Sequence, residues 1–416
     1  MRTPSRLLAV AAALGTLVAT APPAYAAPTV RRTAVVLLDF RDSALRDPDK
    51  VRATFAAQFF GPAPSVVSYY EEASDGRLRY APVGDGGLFG PWPADLDATC
   101  DFTAIQRAGR AALADHGVPA DAYDQLAVVI PSQKNKCAWA GLASVPGGTA
   151  LLMDYLSLTG TVHELGHNLG LSHERRLVCE PASVAACAED GYSDRSPIGG
   201  GGLVGLSAPE LIHTGWLPAD RRVAVTRTGR WTLAALHAPR DRPGPRALEI
   251  AVGARKVVVE YRAKATIDTT TPGVYAYRVD NAKYADAPLL DATPGTKGTD
   301  DTALAVGRPF TDAAAKVTVT VRSVGASGAE VEVRIGDAPS PSPSPTPSPS
   351  PSVTPSPSAS ATVPASEDPA AAEPVTPTPR SQPVPADSSY SWYAAGGALL
   401  LLTCAGALLL LLRRRR

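Results

Sequence analysis

The stretch His163-Glu164-Leu165-Gly166-His167-Asn168-Leu169-Gly170-Leu171-Ser172-His173 constrains this chain more than any other feature. His163 and His167 are four residues apart. On an α-helix that spacing puts two imidazoles on one face, where they can converge on one ion. A third ligand is needed to leave one open position on a tetrahedral metal. His173 can supply it only if the chain leaves the helix and bends back. Gly170 stands where that bend needs backbone angles that other residues avoid. Glu164 is next to the first ligand but off the ligand face, placed to take a proton from an activated water. Half of the six histidines fall in this segment. For this composition a chance match is on the order of one in 10⁵. The expectation is Zn2+ held by His163, His167 and His173, with Glu164 as general base.

The two ends bound where such chemistry would take place. Arg2 and Arg6 precede the apolar run Leu7–Val18, and Ala24-Tyr25-Ala26 supplies small residues around a cleavage point. Residues 1–26 therefore read as an export signal, with the mature chain starting at Ala27. Residues 391–412 are almost wholly apolar and uncharged, and at about 1.5 Å per residue a helix of that length covers a bilayer core of roughly 30 Å. Arg413–Arg416 form a basic cytoplasmic tail (413–416), which places everything before the span outside. Residues 337–390 are rich in Pro, Ser, Thr and Ala and read as a disordered stalk, reaching on the order of 100–150 Å. The expected location is the exterior of a bacterial membrane, with one C-terminal transmembrane helix.

Formal net charge is zero, with 40 basic and 40 acidic side chains and no concentrated basic patch, which argues against nucleic acid as partner. Outside the span the cysteines are Cys100, Cys137, Cys179 and Cys187. An even count in an exported chain suggests disulfides, with three possible pairings. Proximity along the chain favours Cys100–Cys137 and Cys179–Cys187. Nothing sets an oligomeric state, and a monomer is expected.

Periodicity predicts buried strands at Thr33–Phe40 and Leu126–Ile130, and helices at Lys50–Phe60, Ser65–Ala73 and Phe102–His116. A strand is expected over Ala150–Leu156, just before the helix that carries His163. It is the candidate for an edge that holds an extended substrate. From Val223 to Val333, short Val- and Thr-rich runs alternate with Gly, Pro and Asp turns, the pattern of an all-β domain.

The eleven-residue motif resembles the metzincin signature. In that clan a methionine-containing turn lies beneath the metal. Tyr192-Ser193-Asp194-Arg195-Ser196-Pro197-Ile198-Gly199 resembles the corresponding turn of gametolysin-like peptidases, with Ile198 where methionine is expected. Isoleucine fills similar volume but is stiffer and lacks sulfur. Ser65–Leu78, Cys137–Gly141, Ser207–Glu210 and Gly215–Leu217 are similar to segments of the gametolysin family and, more distantly, of the immune inhibitor A peptidases. Val259–Arg262, Leu289–Asp291 and Ala305–Gly307 resemble the β-rich part that follows. The resemblance covers about residues 30–335.

It implies an α/β zincin-like (metzincin) catalytic domain over residues 27–218, followed by an all-β sandwich-like domain over 219–336. The implied activity is zinc-dependent endopeptidase, with extracellular polypeptide as substrate. Two other readings are a non-catalytic zinc-containing surface binding or adhesion protein, which the isoleucine turn favours, and a zinc hydrolase of cell-wall peptides.

Overall fold

Three interior strands, each built around an unbroken apolar run, fix the centre of the first sheet. The structure, a computed structural model, describes residues 27–134, 136–180, 184, 186–293 and 302–336. The expected signal (1–26), stalk (337–390), span (391–412) and basic tail (413–416) lie outside these residues. Among the described residues no helix is long and apolar enough to cross a membrane.

The first sheet is built from β1 (Thr29–Asp39), β2 (Leu78–Pro82), β3 (Leu88–Pro93), β4 (Gln125–Ile130), β5 (Gly141–Ala143) and β6 (Thr149–Met153). Its order is β2-β1-β4-β6-β5, with β3 also paired to β1. All pairs are parallel except β5 with β6. β1, β4 and β6 read as unbroken apolar runs because both sheet faces are covered. Four helices are attached to this sheet: α1 (Pro48–Phe60), α2 (Val66–Ala73), α3 (Phe102–Asp115) and α4 (Leu158–Asn168). Val35 and Leu37 of β1 face a core shared with Phe55, Phe59, Tyr70, Val162 and Leu165 from α1, α2 and α4. Val36 and Leu38 face the other way, onto Ile105 and Leu113 of α3. Strand alternation thus sorts one run into two cores.

β6 is an interior strand, with every residue from Ala150 to Met153 at most 1% exposed. Both of its backbone edges are already paired, so it cannot be the substrate edge that its position before α4 suggested. Among the described residues the open edge is β5, which ends the sheet on the side of α4. β5 holds two glycine- or alanine-sized residues and one leucine over three positions, too short a pattern for periodicity to register.

The remaining strands are β7 (Arg175–Cys179), β8 (Cys187–Tyr192), β9 (Arg222–Val225), β10 (Gly229–Leu233), β11 (Ala247–Val252), β12 (Arg255–Arg262), β13 (Gly273–Asp280), β14 (Leu289–Asp291), β15 (Pro309–Asp312), β16 (Val317–Gly325) and β17 (Gly328–Ile335). They form a seven-stranded sheet, β8-β7-β14-β13-β12-β11-β9, and a four-stranded antiparallel sheet, β10-β17-β16-β15. Val257, Val259, Val274 and Ala276 of the larger sheet pack against Val319, Val321, Val331 and Val333 of the smaller. The opposite face of the larger sheet presents Val258, Tyr275 and Tyr277 to the same core as α2 and α4. Strands from both sides of residue 218 share this sheet, since β7 pairs in parallel with β14. The disulfides are Cys100–Cys137 and Cys179–Cys187, the second joining β7 to β8.

A buried ion pair ties β12 to the segment before it. Arg262 and Glu260 are both fully buried, with the Arg262 Nε donating to the Glu260 carboxylate at 2.5 Å. Arg262 also donates to the Gly205 carbonyl at 2.9 Å. Glu260 accepts from the Tyr277 hydroxyl at 3.0 Å and from the Ala208 amide, at the start of α5 (Ala208–His213). Breaking such a pair by removing one partner strands a buried charge. Arg262→Met is therefore expected to cost about 3–5 kcal/mol, read as a fall in the denaturant midpoint, whereas the exposed Arg41→Met is expected to change it little.

Candidate metal centre

Ser157 caps the start of α4 by accepting the Gly160 amide at 3.3 Å. The helix ends in a paired turn: the Gly170 amide reaches the His167 carbonyl at 2.9 Å and the Leu171 amide reaches the Gly166 carbonyl at 3.3 Å. Gly170 has φ +90°, a conformation open to glycine and strained for other residues. This exit turns the chain back along the helix instead of away from it. Asn168 pins the same end to the first sheet, donating to the Ser144 and Thr149 carbonyls at 2.9 Å each and accepting from Gln125 at 2.7 Å.

The reversal brings His173 to His163 and His167. Its Nε2 lies 3.1 Å from the His163 Nε2 and 3.2 Å from the His167 Nε2. Among the described residues these three form the one group of His, Cys, Asp and Glu side chains placed to hold a metal ion, all ligand atoms being within 4.8 Å of one another. The outer ring nitrogens are fixed as well. The His163 Nδ1 donates to the Pro197 carbonyl and the His167 Nδ1 to the Leu171 carbonyl, both at 2.8 Å. A carbonyl only accepts, so both Nδ1 atoms carry the proton and both Nε2 atoms present bare lone pairs inward. The His173 Nδ1 lies 3.3 Å from the Tyr192 hydroxyl. Burial pulls the His163 imidazole down to about 4 and that of His173 down to about 3, the neighbouring rings adding to the effect. Neutral imidazoles with converging lone pairs are the donor set that fits a divalent metal ion.

Glu164 points off this cluster. It is 7% exposed, and burial pushes its carboxyl up to about 8. Its side chain rests on the backbone of Gly141 in β5, where a Cβ would come within 2.6 Å of the carboxylate. Glu164, the triad and the open sheet edge are thus adjacent.

Ile198 lies fully buried beneath α4. Its Cδ1 sits 2.0 Å from where a Cβ on Gly166 would be, so the helix can rest on this turn only because residue 166 is glycine. Asp194 pairs with its neighbour Arg195. The turn is held instead by Ser196 and Glu210. The Ser196 hydroxyl accepts the Ile198 amide at 3.0 Å and donates to Glu210 at 2.6 Å. The other Glu210 oxygen accepts the Ser207 amide at 2.7 Å, completing a capping box at α5. The pattern Ser207-Ala208-Pro209-Glu210 announces that cap. Nothing local announces that its carboxylate also serves a turn fourteen residues earlier.

Two converging helical imidazoles, a third returned by a glycine turn and a buried carboxyl beside an open strand edge define a metallopeptidase. The sequence model of the family described as gametolysin peptidase M11 matches residues 48–293, and the chain belongs to that family. Three solved structures similar to it are of OgpA from Akkermansia muciniphila. Two are wild-type crystal forms, and the third is a catalytically inactive form in complex with an O-glycopeptide (glycodrosocin) substrate. Each is 10% identical and covers 62% of this chain, with 85% or 86% of the other chain covered and a TM-score of 0.29 or 0.30. No curated protein matches.

Two outcomes follow from this geometry. With metal stripped by a chelator, the ring signals of His163 and His173 are expected to titrate near pH 4 and 3 in NMR spectra, not near the ordinary imidazole value of 6.5. Unfolded histidines take up protons before the folded ones do, so the metal-free fold loses stability as pH falls through that interval. Gly166→Ala is expected to lower stability by about 1–3 kcal/mol through overpacking, and Ile198→Met by less than about 1.5 kcal/mol, both read by thermal melts.

Proposed function

We propose that the chain is a zinc-dependent endopeptidase of the metzincin type acting on extracellular polypeptides. The observation that carries this reading is the meeting of three histidine Nε2 atoms beside a buried glutamate. Tetrahedral zinc with Zn–N of about 2.0–2.1 Å separates its ligand nitrogens by about 3.3–3.4 Å, close to the 3.1 and 3.2 Å found here. His163, His167 and His173 would hold the ion. Bound zinc supplies Lewis acidity, acidifying water and polarising the scissile carbonyl.

Glu164 takes the proton of the attacking water and then delivers it to the departing amine nitrogen. A carboxyl raised by burial has the proton affinity such a base needs near neutrality. β5 has no strand neighbour on its outer side among the described residues, so an extended polypeptide can pair there and run past the centre in both directions. That favours cleavage within chains over trimming of ends. Ile198, which lent weight to a non-catalytic reading, fills its site against Gly166 without exposure. Residues 1–26, read as an export signal, and the apolar segment 391–412, read as a span, support a place at the outer face of a membrane.

The test is cleavage of casein by the purified chain, with a parallel arm of cell-wall peptide fragments. Chelator is expected to abolish casein cleavage and zinc to restore it. Glu164→Ala is expected to lower the rate by about 10²–10⁴-fold while metal content, measured by atomic absorption, stays equal. Undiminished cleavage by that variant would remove Glu164 from the mechanism.

A further inference from the structure

A second concave site lies away from the metal centre. It is a cavity of about 720 Å³ between the segment after α2, the end of α5 and the loop 235–246. Neither the three histidines nor Glu164 line it. Six cationic side chains do: Arg77, Arg221, Arg240, Arg242, Arg246 and Lys264. They face three carboxylates, of Glu72, Asp75 and Asp220.

Among the lining residues the cations outnumber the carboxylates six to three. Asp75 serves both Arg240, at 2.9 Å, and Arg77, at 3.5 Å. Arg221 donates to the carbonyls of Arg240, Arg242 and Gly244. Arg242 donates to the Ser327 carbonyl at 2.8 Å. Arg246 donates to the Leu236 and Pro239 carbonyls, at 3.0 and 2.7 Å. The carbonyl acceptors are neutral and do not cancel the charge of the guanidinium groups. Arg246 is only 8% exposed, and its Nε has no hydrogen-bond partner among the described residues. Burial lowers the Arg246 pKa, Asp75 opposes this, and Arg221, Arg240 and Arg77 add to the lowering, so like charges do crowd here. Keeping several guanidinium groups together around a cavity costs stability, and a bound anion repays it. Guanidinium forks match phosphate and sulfate oxygens with paired donors. The volume is that of a small-molecule site and exceeds what a single oxyanion fills.

We propose that this cavity is a binding site for a ligand bearing two or more phosphate- or sulfate-type oxyanions. The site recognises charge separately from the peptide-bond chemistry at the metal centre, and it stands whether or not that centre acts as proposed.

Isothermal titration of the full chain with inorganic tripolyphosphate and with a sulfated heparin tetrasaccharide tests it. At least one probe is expected to bind saturably, one per chain, with affinity falling as salt rises. Tripolyphosphate alone would identify a phosphate ligand, and the tetrasaccharide alone a sulfate ester. The paired substitutions Arg242→Glu and Lys264→Glu, both at exposed positions, are expected to weaken binding by about tenfold or more. Melting temperature and casein cleavage are expected to stay unchanged. Arg246→Met should weaken binding too, but being buried it serves only as a second reading. Failure of both probes to saturate, or equal binding by the double variant, overturns the proposal.

Discussion

The chain reversal at Gly170 is the constraint on which the metal centre depends. Two histidines on one helix face make half a site, and any helix can supply them. The third has to come from outside the helix and still lie within about 3 Å. A paired hydrogen-bonded turn at a positive-φ glycine does this in the fewest residues, because it satisfies the last carbonyls of α4 while redirecting the chain. The same turn places the Leu171 carbonyl where the His167 Nδ1 needs an acceptor. One local conformation therefore both returns His173 to the helix and sets the tautomer of His167.

That turn is not self-supporting. Ser172 is held by the Ala285 carbonyl, and β7 begins two residues after His173 and pairs with β14. The segment that carries His173 is thus fastened to strands more than a hundred residues later. The His163 side is fastened in a similar way: the Pro197 carbonyl sits in a turn held by Ser196 and Glu210, and α5, which Glu210 caps, is held in turn by Glu260. Buried polar groups are costly unless paired, and here the pairings run in series from β12 to the three histidines. The family match extends to residue 293, just past β14, which is where these supports end.

Much of the fold was legible. The helices at 48–60, 66–73 and 102–115 and the interior strands at 29–39 and 125–130 follow their periodicity to within a few residues. The triad and Glu164 were legible because helix geometry converts spacing into proximity. Three kinds of feature were not. β5 is too short to show a period, so the neighbouring β6, with its stronger apolar run, drew the expectation of a substrate edge. Tyr192, Ser196 and Glu210 act on the histidines through contacts that only folding creates. The joining of β7 and β8 to later strands gives no signal at either segment, since strand pairing partners are chosen by the whole sheet.

The sequence by itself determined the chemistry offered: three imidazoles, one carboxyl and a glycine able to turn the chain, because these depend on residue identity and on spacing within a single helical turn or two. Only the tertiary structure decided which strand edge lies open beside them, what holds the outer nitrogens, and that residues beyond 218 form part of the support. Those outcomes depend on contacts between segments far apart in the chain, and such contacts leave no trace in local spacing.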